Sequence, residues 1–498
     1  MKYTHTLIYT TAIILAANIC KAEAISKNSL NRIVKSFPER IESIYDNNQL
    51  QGDFLIAVVN SKGLAFHFTL NKQGKDTENK LSTDTPFLIA SHTKAFTGTL
   101  AQLLHSNNRF DVNAPINRYL SDVVRDQRIA KESLTVSQLL NHTAGFTSVL
   151  HTFKSAFLGY KDEDELTSAL NYNTLVATAG KFRYSNTGPI LAAKAIEKAT
   201  HKSWKLLMKE QIFAPLSMNN TSSFIKDYAN GSILPSIETD RNGQQVRSGL
   251  FKSDKTMHAS GGLVTTLEDM AKWMKFNLVG NPKISKSNNI FDNLHKPLVQ
   301  QQKTYFTYDR TGYSLAWDIG KYHNEQILTR FGSYAGMSFH ASFMPQQQLA
   351  VVAFFNEDRG FVLPHLAANY IYNLVISPDQ AELRFENEVA KFNSILVREQ
   401  QHSVDSSDMI TNSAKWKKMI GNYVAEDNAW PNIQLYENEN IIWLSWGELD
   451  GPLYHVNKGG FKAIASLGAL KRQISIEFKN EEVVLTNGSI KYIKSPNS

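Results

Sequence analysis

The amino-acid sequence predicts an α+β protein with a second, all-β unit at its C-terminal end. β-hairpin patterns over residues 54–69 and 339–356 enclose a long middle that has the pattern of helices and loops. Short strand patterns recur after residue 415. Hairpins and helices that are grouped in this way are typical of α+β folds.

The N-terminal residues 1–24 have the pattern of a secretory signal peptide. An apolar run over residues 7–19 precedes the small residues Ala22 and Ala24, which would suit a cleavage site. We therefore expect a mature chain that begins near residue 25 and is periplasmic or secreted. A lipid anchor on Cys20, the single cysteine, is the weaker alternative, because Ile19 is bulky for a lipoprotein cleavage box.

Composition narrows the class of protein further. With 498 residues, 42% hydrophobic and 20% charged, the chain can bury a large core, and its length suggests two or more domains. The net charge is +7, but the basic residues are scattered, and the densest group, residues 415–418, is too short for a nucleic-acid footprint. After residue 24 no apolar run reaches the roughly 20 residues of a membrane helix. We expect no nucleic-acid partner and no transmembrane helix in the mature chain.

The most informative local pattern is Ser91-His92-Thr93-Lys94, where a strand-like apolar run gives way to a helical pattern. This spacing puts a hydroxyl and an ammonium one helical turn apart on the same face. Alternatively, Ser91 caps the helix and Lys94 is a solvated lysine. The helix dipole disfavours a cation in the first turn, where a capping box would carry Glu or Gln. Ser91 is therefore a candidate nucleophile with Lys94 as its base.

A second candidate stretch is Tyr184-Ser185-Asn186, which reads as a turn before a helix over about residues 189–200. It supplies a phenol and an amide two residues apart. Alone it is a weak signal, because a buried tyrosine beside a turn asparagine explains most such patterns.

A third stretch, Arg330-Phe331-Gly332-Ser333, stands between two β-like runs. Arg330 could bind a carboxylate through its fork of donors, and the Ser333 N–H could face a developing oxyanion. Gly332 would let a substrate approach the backbone. The alternative is a surface arginine beside a β-turn.

The order of these three motifs resembles the serine β-lactamase and penicillin-binding protein superfamily, in particular its class C-like branch. The resemblance extends to residues 134–146, 212–218 and 259–270 and covers about residues 50–376. It implies an antiparallel sheet flanked by helices, with an inserted helical subdomain and the catalytic serine at the start of the central helix. The predicted catalytic domain is residues 25–378.

The resemblance also implies roles for individual residues. It makes Ser91 the nucleophile, Lys94 its base, and Tyr184 the proton shuttle for the leaving group and, in the hydrolytic half, for the attacking water. The backbone N–H groups of Ser91 and Ser333 would form the oxyanion hole, and Asn186 would hold the substrate amide. The substrate-binding residues that it implies are Asn186, Arg330, Gly332 and Ser333.

The third motif departs from the family pattern. Arg330 stands where the family usually has Lys or His, and Phe331 replaces a small polar residue. Arginine keeps the positive charge but cannot release a proton at working pH. Phe331 adds bulk and removes a hydroxyl that could contact substrate. We expect this departure to affect β-lactam hydrolysis more than acylation.

Two further segments complete the predicted organisation. Residues 379–414 read as a charged linker that is partly helical, and residues 415–498 as a small antiparallel barrel or sandwich. Asn487-Gly488 is a strong hairpin signal in the latter. This unit resembles the lipocalin-like C-terminal extension that some members of the class C-like branch carry. We expect it to shape substrate access or to bind a partner.

Other chemistries lack a matching pattern. There is no His-Glu-x-x-His, no Gly-x-Ser-x-Gly and no phosphate-binding loop, so we expect neither a metal nor another cofactor, and we interpret His142 as structural. The resemblance, together with the three motifs, implies a serine hydrolase that works through an acyl-enzyme on a D-amino-acid peptide, amide or ester. The acyl donor could derive from the cell wall, and a peptidase or esterase is favoured over a true β-lactamase. The alternative is a slow-acylating or catalytically silent protein that binds envelope polymer or a partner.

Overall fold

The computed structural model describes residues 25–72, 81–172, 174–239, 245–285, 289–400, 409–411, 414–456, 462–467, 470–479, 482–488 and 490–496. The signal-peptide prediction falls on residues 1–24, which lie outside the described residues. Among the described helices, none has both the length and the apolar character that crossing a membrane requires.

Short and long strands alternate with helices in the N-terminal unit. Its strands are β1 (Phe54–Asn60), β2 (Gly63–Leu70), β3 (Phe87–Leu88), β4 (Phe146–Ser148), β5 (Thr174–Val176), β6 (Ile237–Thr239), β7 (Gln245–Arg247), β8 (Val264–Thr265), β9 (Val299–Tyr305), β10 (Tyr308–Tyr313), β11 (Asp318–Tyr322), β12 (Glu325–Tyr334), β13 (Met337–Met344) and β14 (Leu349–Phe355).

Eight of these strands form one antiparallel sheet in the order β2-β1-β14-β13-β12-β11-β10-β9. The predicted opening hairpin is β1 and β2, and the predicted closing strands are β13 and β14. The strand β1 pairs with β14 along its whole length, from Phe54 opposite Phe355 to Asn60 opposite Leu349. The first and last long strands of the unit are therefore neighbours in one sheet, next to its β2 edge.

Helices cover both faces of this sheet. The described α-helices of the chain are α1 (Lys27–Asn48), α2 (Thr93–Ser106), α3 (Asn117–Leu120), α4 (Val136–Leu140), α5 (Val149–Phe153), α6 (Glu163–Leu170), α7 (Thr187–Thr200), α8 (Trp204–Met208), α9 (Leu267–Val279), α10 (Ile290–His295), α11 (Leu363–Ile376), α12 (Ala381–Gln400) and, directly before the barrel, α13 (Ala414–Lys417). One core lies between the sheet and α1, α11 and α12, and the other lies on the α2 and α9 side.

The segment predicted as a charged linker is helical over most of its length. The helix α12 buries Phe385 and Phe392 in the core that it shares with α1 and α11. Because these side chains are two helical turns apart, α12 presents one apolar stripe to the N-terminal unit. It therefore packs as part of that unit.

The C-terminal unit is an eight-stranded antiparallel β-barrel, in which the last strand pairs with the first. Tyr423 lies opposite Lys494 in that closing pair, and of the predicted barrel and sandwich the structure has the barrel. Its strands are β15 (Gly421–Ala425), β16 (Ile433–Asn438), β17 (Ile441–Trp446), β18 (Leu449–His455), β19 (Lys462–Leu467), β20 (Leu470–Lys479), β21 (Glu482–Asn487) and β22 (Ile490–Lys494).

The barrel packs against α5 and the π-helical turn that follows it, residues 154–158. The Glu448 backbone N–H donates to the Leu158 oxygen at 3.0 Å, and the rings of Phe153 and Trp446 lie 5.5 Å apart. The barrel thus supports the segment that forms one wall of the cavity described below.

Candidate active site

Ser91 lies in a 3₁₀ turn, residues 90–92, immediately before α2. His92 fixes this turn to β12. Its Nε2 accepts from the Trp273 indole at 3.1 Å, so Nδ1 carries the proton and donates to the Arg330 oxygen at 3.0 Å. Burial lowers the pKa of His92 to about 3, which keeps it neutral. Ala90 adopts a left-handed φ of 42°, a conformation that residues with a Cβ seldom take and that is common at functional turns.

Gly332 allows β12 to approach the Ser91 turn closely. A Cβ at position 332 would lie 2.2 Å from the Ile89 oxygen and 3.0 Å from the Ser91 nitrogen. Any side chain there would push the strand away from the nucleophile, so this glycine sets the spacing between the Ser91 N–H and the end of β12.

The Ser91 hydroxyl oxygen lies between a lysine and a tyrosine. Lys94 Nζ donates to Ser91 Oγ at 3.1 Å, and the Tyr184 hydroxyl donates to the same oxygen at 3.0 Å. Lys94 Nζ also donates to the Ser260 backbone oxygen at 2.7 Å. Lys94 is 1% exposed, and α2 has His92 at its cap position without a side-chain cap bond. The alternative of a capping serine with a solvated lysine is therefore wrong.

The pKa values of Lys94 and Tyr184 are both about 8. Burial lowers the pKa of Lys94 to about 8, the Tyr184 oxygen opposes this shift, and the cation of Arg330 adds to it. Burial by itself would raise the pKa of Tyr184, but Lys94 and Arg330 together lower that pKa to about 8. Both groups can therefore exchange protons near neutral pH. Tyr184 is also accessible to solvent, because 47% of its surface is exposed.

The Arg330 guanidinium is hydrogen-bonded and ion-paired to other residues of the site. Its Nη2 donates to the Tyr184 hydroxyl at 2.9 Å, its Nε donates to the Ser91 backbone oxygen at 3.2 Å, and its Nη1 lies 3.3 Å from an Asp318 carboxylate oxygen. The guanidinium is buried, with the residue 4% exposed. Each of the three guanidinium nitrogens thus already has a partner inside the protein, so a substrate carboxylate at Arg330 would compete with these contacts.

Phe331, which was predicted to add bulk at the strand edge, points away from Ser91. Its ring lies 4.1 Å from that of His365 and 4.7 Å from that of His340. Successive side chains of a strand face opposite sides of a sheet. Since Arg330 reaches the Ser91 side, Phe331 belongs to the opposite core.

A cavity of about 290 Å³ opens beside the nucleophile. Ser91, Asn186 and Ser333 are among its lining residues, and Asn186 directly precedes α7. The Ser260 hydroxyl donates to the Asn186 oxygen at 2.6 Å, which joins the Asn186 turn to the segment that holds Lys94. The candidate residues from all three sequence motifs therefore come together around Ser91.

Sequence reasoning missed three residues of this site. Ser260 lies in the stretch 259–270 that was recognised only by resemblance, and Asp318 has no local pattern that distinguishes it. Lys252 lines the cavity from an irregular segment. His142, interpreted as structural, contacts the Tyr184 ring at 4.7 Å and accepts from the Ser185 N–H at 3.3 Å.

The chain matches known proteins over most of its length. The β-lactamase family profile matches residues 30–372. The protein flp of Staphylococcus aureus is 25% identical over 353 residues, which are 69% of this chain and 66% of that protein. That match therefore spans slightly less than two thirds of the relative's own length.

Solved structures share the fold. A penicillin-binding protein homologue from Pyrococcus abyssi aligns with a TM-score of 0.60 at 20% identity, over 93% of this chain and 100% of that chain. The D-amino acid amidase from Ochrobactrum anthropi SV3 aligns with a TM-score of 0.56 at 18% identity, over 70% of this chain and 98% of that chain. Since the family match covers more than half of the sequence and includes the Ser91 region, the chain belongs to the β-lactamase family of serine hydrolases.

Proposed function

We propose that this protein hydrolyses a D-amino-acid peptide, amide or ester through an acyl-enzyme on Ser91. The observation that carries the proposal is the position of Ser91 Oγ, which receives hydrogen bonds from both Lys94 and Tyr184. A hydroxyl with two proton-transfer groups in contact can lose its proton to one while the other supplies a proton to the leaving group.

In the acylation step, Ser91 Oγ attacks the substrate carbonyl carbon. The hydroxyl proton goes to the neutral amine of Lys94, and the carbonyl oxygen becomes an oxyanion that the N–H groups of Ser91 and Ser333 would stabilise. When the carbon–nitrogen or carbon–oxygen bond breaks, the leaving group takes the proton of the Tyr184 hydroxyl. Arg330 stabilises the resulting phenolate through its Nη2 donor.

Deacylation reverses these transfers. Water attacks the acyl carbon and gives a proton to the Tyr184 oxygen, the ester bond to Ser91 breaks, and Lys94 returns a proton to Ser91 Oγ. The site recovers its starting protonation, so no other acid or base is needed. Arg330 acts only through charge and hydrogen bonds, because its pKa is too high for proton release.

The class of acyl donor is supported by the cavity and by the shared fold. Asn186 lines the cavity together with Ser91, where its amide could hold a substrate amide. One of the proteins with the same fold is named as a D-amino acid amidase. We therefore favour an amidase, peptidase or esterase activity over β-lactam hydrolysis.

The proposed location is the periplasm or the cell exterior. This rests on the signal-like pattern of residues 1–24. Expression of the full chain in a bacterial host, followed by fractionation and N-terminal sequencing, tests it. A mature protein that begins near residue 25 outside the cytoplasm is expected, and an uncleaved cytoplasmic protein would contradict it.

The first test is covalent labelling of the nucleophile. We would measure the intact mass after incubation with a penicillin, and turnover of a panel of D-amino-acyl amides and esters, for the native protein and for Ser91→Ala. Ser223→Ala is the matched control, because Ser223 and Lys226 form the other Ser-x-x-Lys pattern of the sequence and Lys226 is exposed.

We expect an adduct and turnover in the native protein and in Ser223→Ala, and neither in Ser91→Ala. An adduct that persists indicates slow deacylation, whereas one that disappears indicates a β-lactamase activity. Turnover that survives in Ser91→Ala would overturn the proposal. A native protein with neither adduct nor turnover would leave the catalytically silent alternative.

A further inference from the structure

A second buried lysine, Lys252, lies in the wall of the cavity beside Ser91. It is 7% exposed. Its Nζ donates to the backbone oxygens of Thr256 at 2.9 Å and Ala156 at 3.3 Å, and it lies 4.4 Å from the centre of the Tyr334 ring. Among the described residues no carboxylate pairs with it. These partners are neutral, so the ammonium charge has no counterion.

An unpaired ammonium is an expensive group to bury. Desolvation disfavours its charged form, and a neutral side-chain donor could make the same two hydrogen bonds at less cost. Burial, with a smaller contribution from Lys94, lowers the pKa of Lys252 to about 7. A bound anion would restore the missing charge partner and favour the protonated amine.

The cavity lies where the acyl part of a substrate would enter. Ser91, Asn186 and Ser333 line it, whereas Tyr184 and Arg330 do not. Tyr184 is the proposed proton donor to the leaving group, so the leaving group belongs on its side of Ser91. The acyl substituent would then occupy the side on which Lys252 lies.

The remaining lining suits a short apolar chain that ends in an anion. Val149, Phe153 and Phe157 contribute apolar surface, and the Phe157 ring stacks on Tyr334 at 5.5 Å. His258 Nδ1 accepts from the Ser260 N–H at 3.2 Å, which leaves the proton on Nε2 as a further donor. No acidic residue is among the described residues of this lining.

We propose that Lys252 binds a carboxylate on the acyl group of the substrate and thereby selects acyl donors that carry a negative charge. This inference rests on the proposed acyl-enzyme function of Ser91. It also implies that a free ammonium on the acyl group is disfavoured, because it would face an uncompensated cation.

A matched substrate series tests this selection. We would prepare D-alanine p-nitroanilides N-capped with malonyl, succinyl or glutaryl groups, together with neutral counterparts in which the terminal carboxylate is a carboxamide. The native protein should have a kcat/KM at least tenfold higher for the carboxylate at the best spacer length. Lys252→Met should remove this preference, so that its kcat/KM values for each carboxylate and its carboxamide become equal.

Two further variants separate selection from structure. Lys205→Met is the matched control, because Lys205 Nζ donates to the Asp254 oxygen of the same segment but Lys205 does not line the cavity. It should keep the carboxylate preference. Lys252→Gln retains a hydrogen-bond donor without the charge and should lose the preference even if Lys252→Met fails to fold.

The proposal is overturned if the native protein has no carboxylate preference at any spacer length, or if the preference survives in Lys252→Gln. Ser91-dependent turnover of the carboxamides, measured in the same series, tests the proposed function separately. Turnover without preference would reject only the role of Lys252, and no Ser91-dependent turnover of any substrate would reject both.

Discussion

Two buried polar clusters lie on opposite faces of the main sheet and differ in charge. On the α11 side, the Nδ1 atoms of His340 and His365 lie 2.9 Å apart, and His340 and Tyr372 both contact the Ser342 hydroxyl. Burial lowers the pKa of His365 to about 3 and that of His340 well below its usual value. Both imidazoles are therefore neutral, and each of these side chains has a polar partner.

The cluster around Ser91 is built from charged groups beside a cavity. Lys94 and Arg330 are both buried cations close to the Tyr184 hydroxyl, and the cavity opens next to the nucleophile. Burial of polar groups therefore does not by itself identify a functional site. The Ser91 cluster is distinguished by two pKa values of about 8 next to open space: burial and Arg330 lower that of Lys94, and the cations Lys94 and Arg330 lower that of Tyr184.

Removal of the Tyr184 hydroxyl should have the largest effect. We expect Tyr184→Phe to lower kcat/KM by about 10² to 10⁴, the usual range for the loss of a general acid–base group. The ring remains and is partly exposed, so the melting temperature should change little. Steady-state kinetics and thermal unfolding of the same preparation check both statements. A loss of less than tenfold would mean that another group protonates the leaving group.

Removal of the Tyr308 hydroxyl, on the α11 face of the sheet, should lower stability and leave activity nearly unchanged. The Tyr308 hydroxyl is buried and donates to Asn369 Oδ1 at 2.5 Å. Tyr308→Phe leaves that oxygen without this donor, which should lower the free energy of unfolding by about 1 to 3 kcal/mol. Urea unfolding measures this loss, and kcat/KM should stay within about twofold of the native value. Equal effects of Tyr308→Phe and Tyr184→Phe on kcat/KM would abolish the distinction between the two faces.

Removal of the positive charge of Arg330 should shift the pH at which kcat/KM is highest. In the native protein, kcat/KM should rise toward pH 8 as Lys94 loses its proton, because the pKa of Lys94 is about 8. It should fall above that value as Tyr184, with a pKa of about 8, loses the proton that it donates. Arg330 lowers both pKa values, so Arg330→Gln should raise both and move the optimum to higher pH, on the order of one unit.

Profiles of kcat/KM between pH 6 and 10 test this shift. Arg330→Lys is the control, since it retains the cation and should keep the optimum near the native value. An optimum that does not move in Arg330→Gln would show that the guanidinium charge does not set the two pKa values.

The sequence predicted the parts of the site that local patterns encode. Ser91 and Lys94 are one helical turn apart, so their convergence follows from helix geometry. Arg330 was assigned to substrate, because nothing local shows that a strand side chain has Tyr184 and Asp318 within reach. Lys252 was missed for the same reason: its significance depends on a cavity that distant segments form.

The fold was predictable to a similar degree. The hairpins and the all-β C-terminal unit followed from alternation and turn signals, whereas barrel closure depends on pairing between its first and last strands. The segment 379–414 was read as a linker because charged residues dominate it. Phe385 and Phe392, seven residues apart, were the overlooked sign of a packed helix.

The smallest effect on activity is expected for a substitution at Gly447, where the barrel contacts the segment that forms the cavity wall. Gly447 has a φ of +63°, and a Cβ there would lie 2.4 Å from the Leu158 oxygen. Gly447→Ala should therefore displace the segment that includes Ala156 and Phe157, two lining residues of the cavity. We expect KM to rise roughly two- to fivefold, a change of less than about 1 kcal/mol, with kcat unaltered.

Gly488→Ala supplies the matched control for this interface. Gly488 has a φ of +62°, almost the same as Gly447, but a Cβ there has no atom within 4 Å. Both substitutions should cost about 1 to 2 kcal/mol of left-handed backbone strain, and Gly447→Ala should lower the melting temperature further because of its contact with Leu158. Only Gly447→Ala presses the barrel against Leu158, so only that variant should raise KM. If the two variants have the same KM, the barrel does not position the cavity wall, and its contribution is limited to stability.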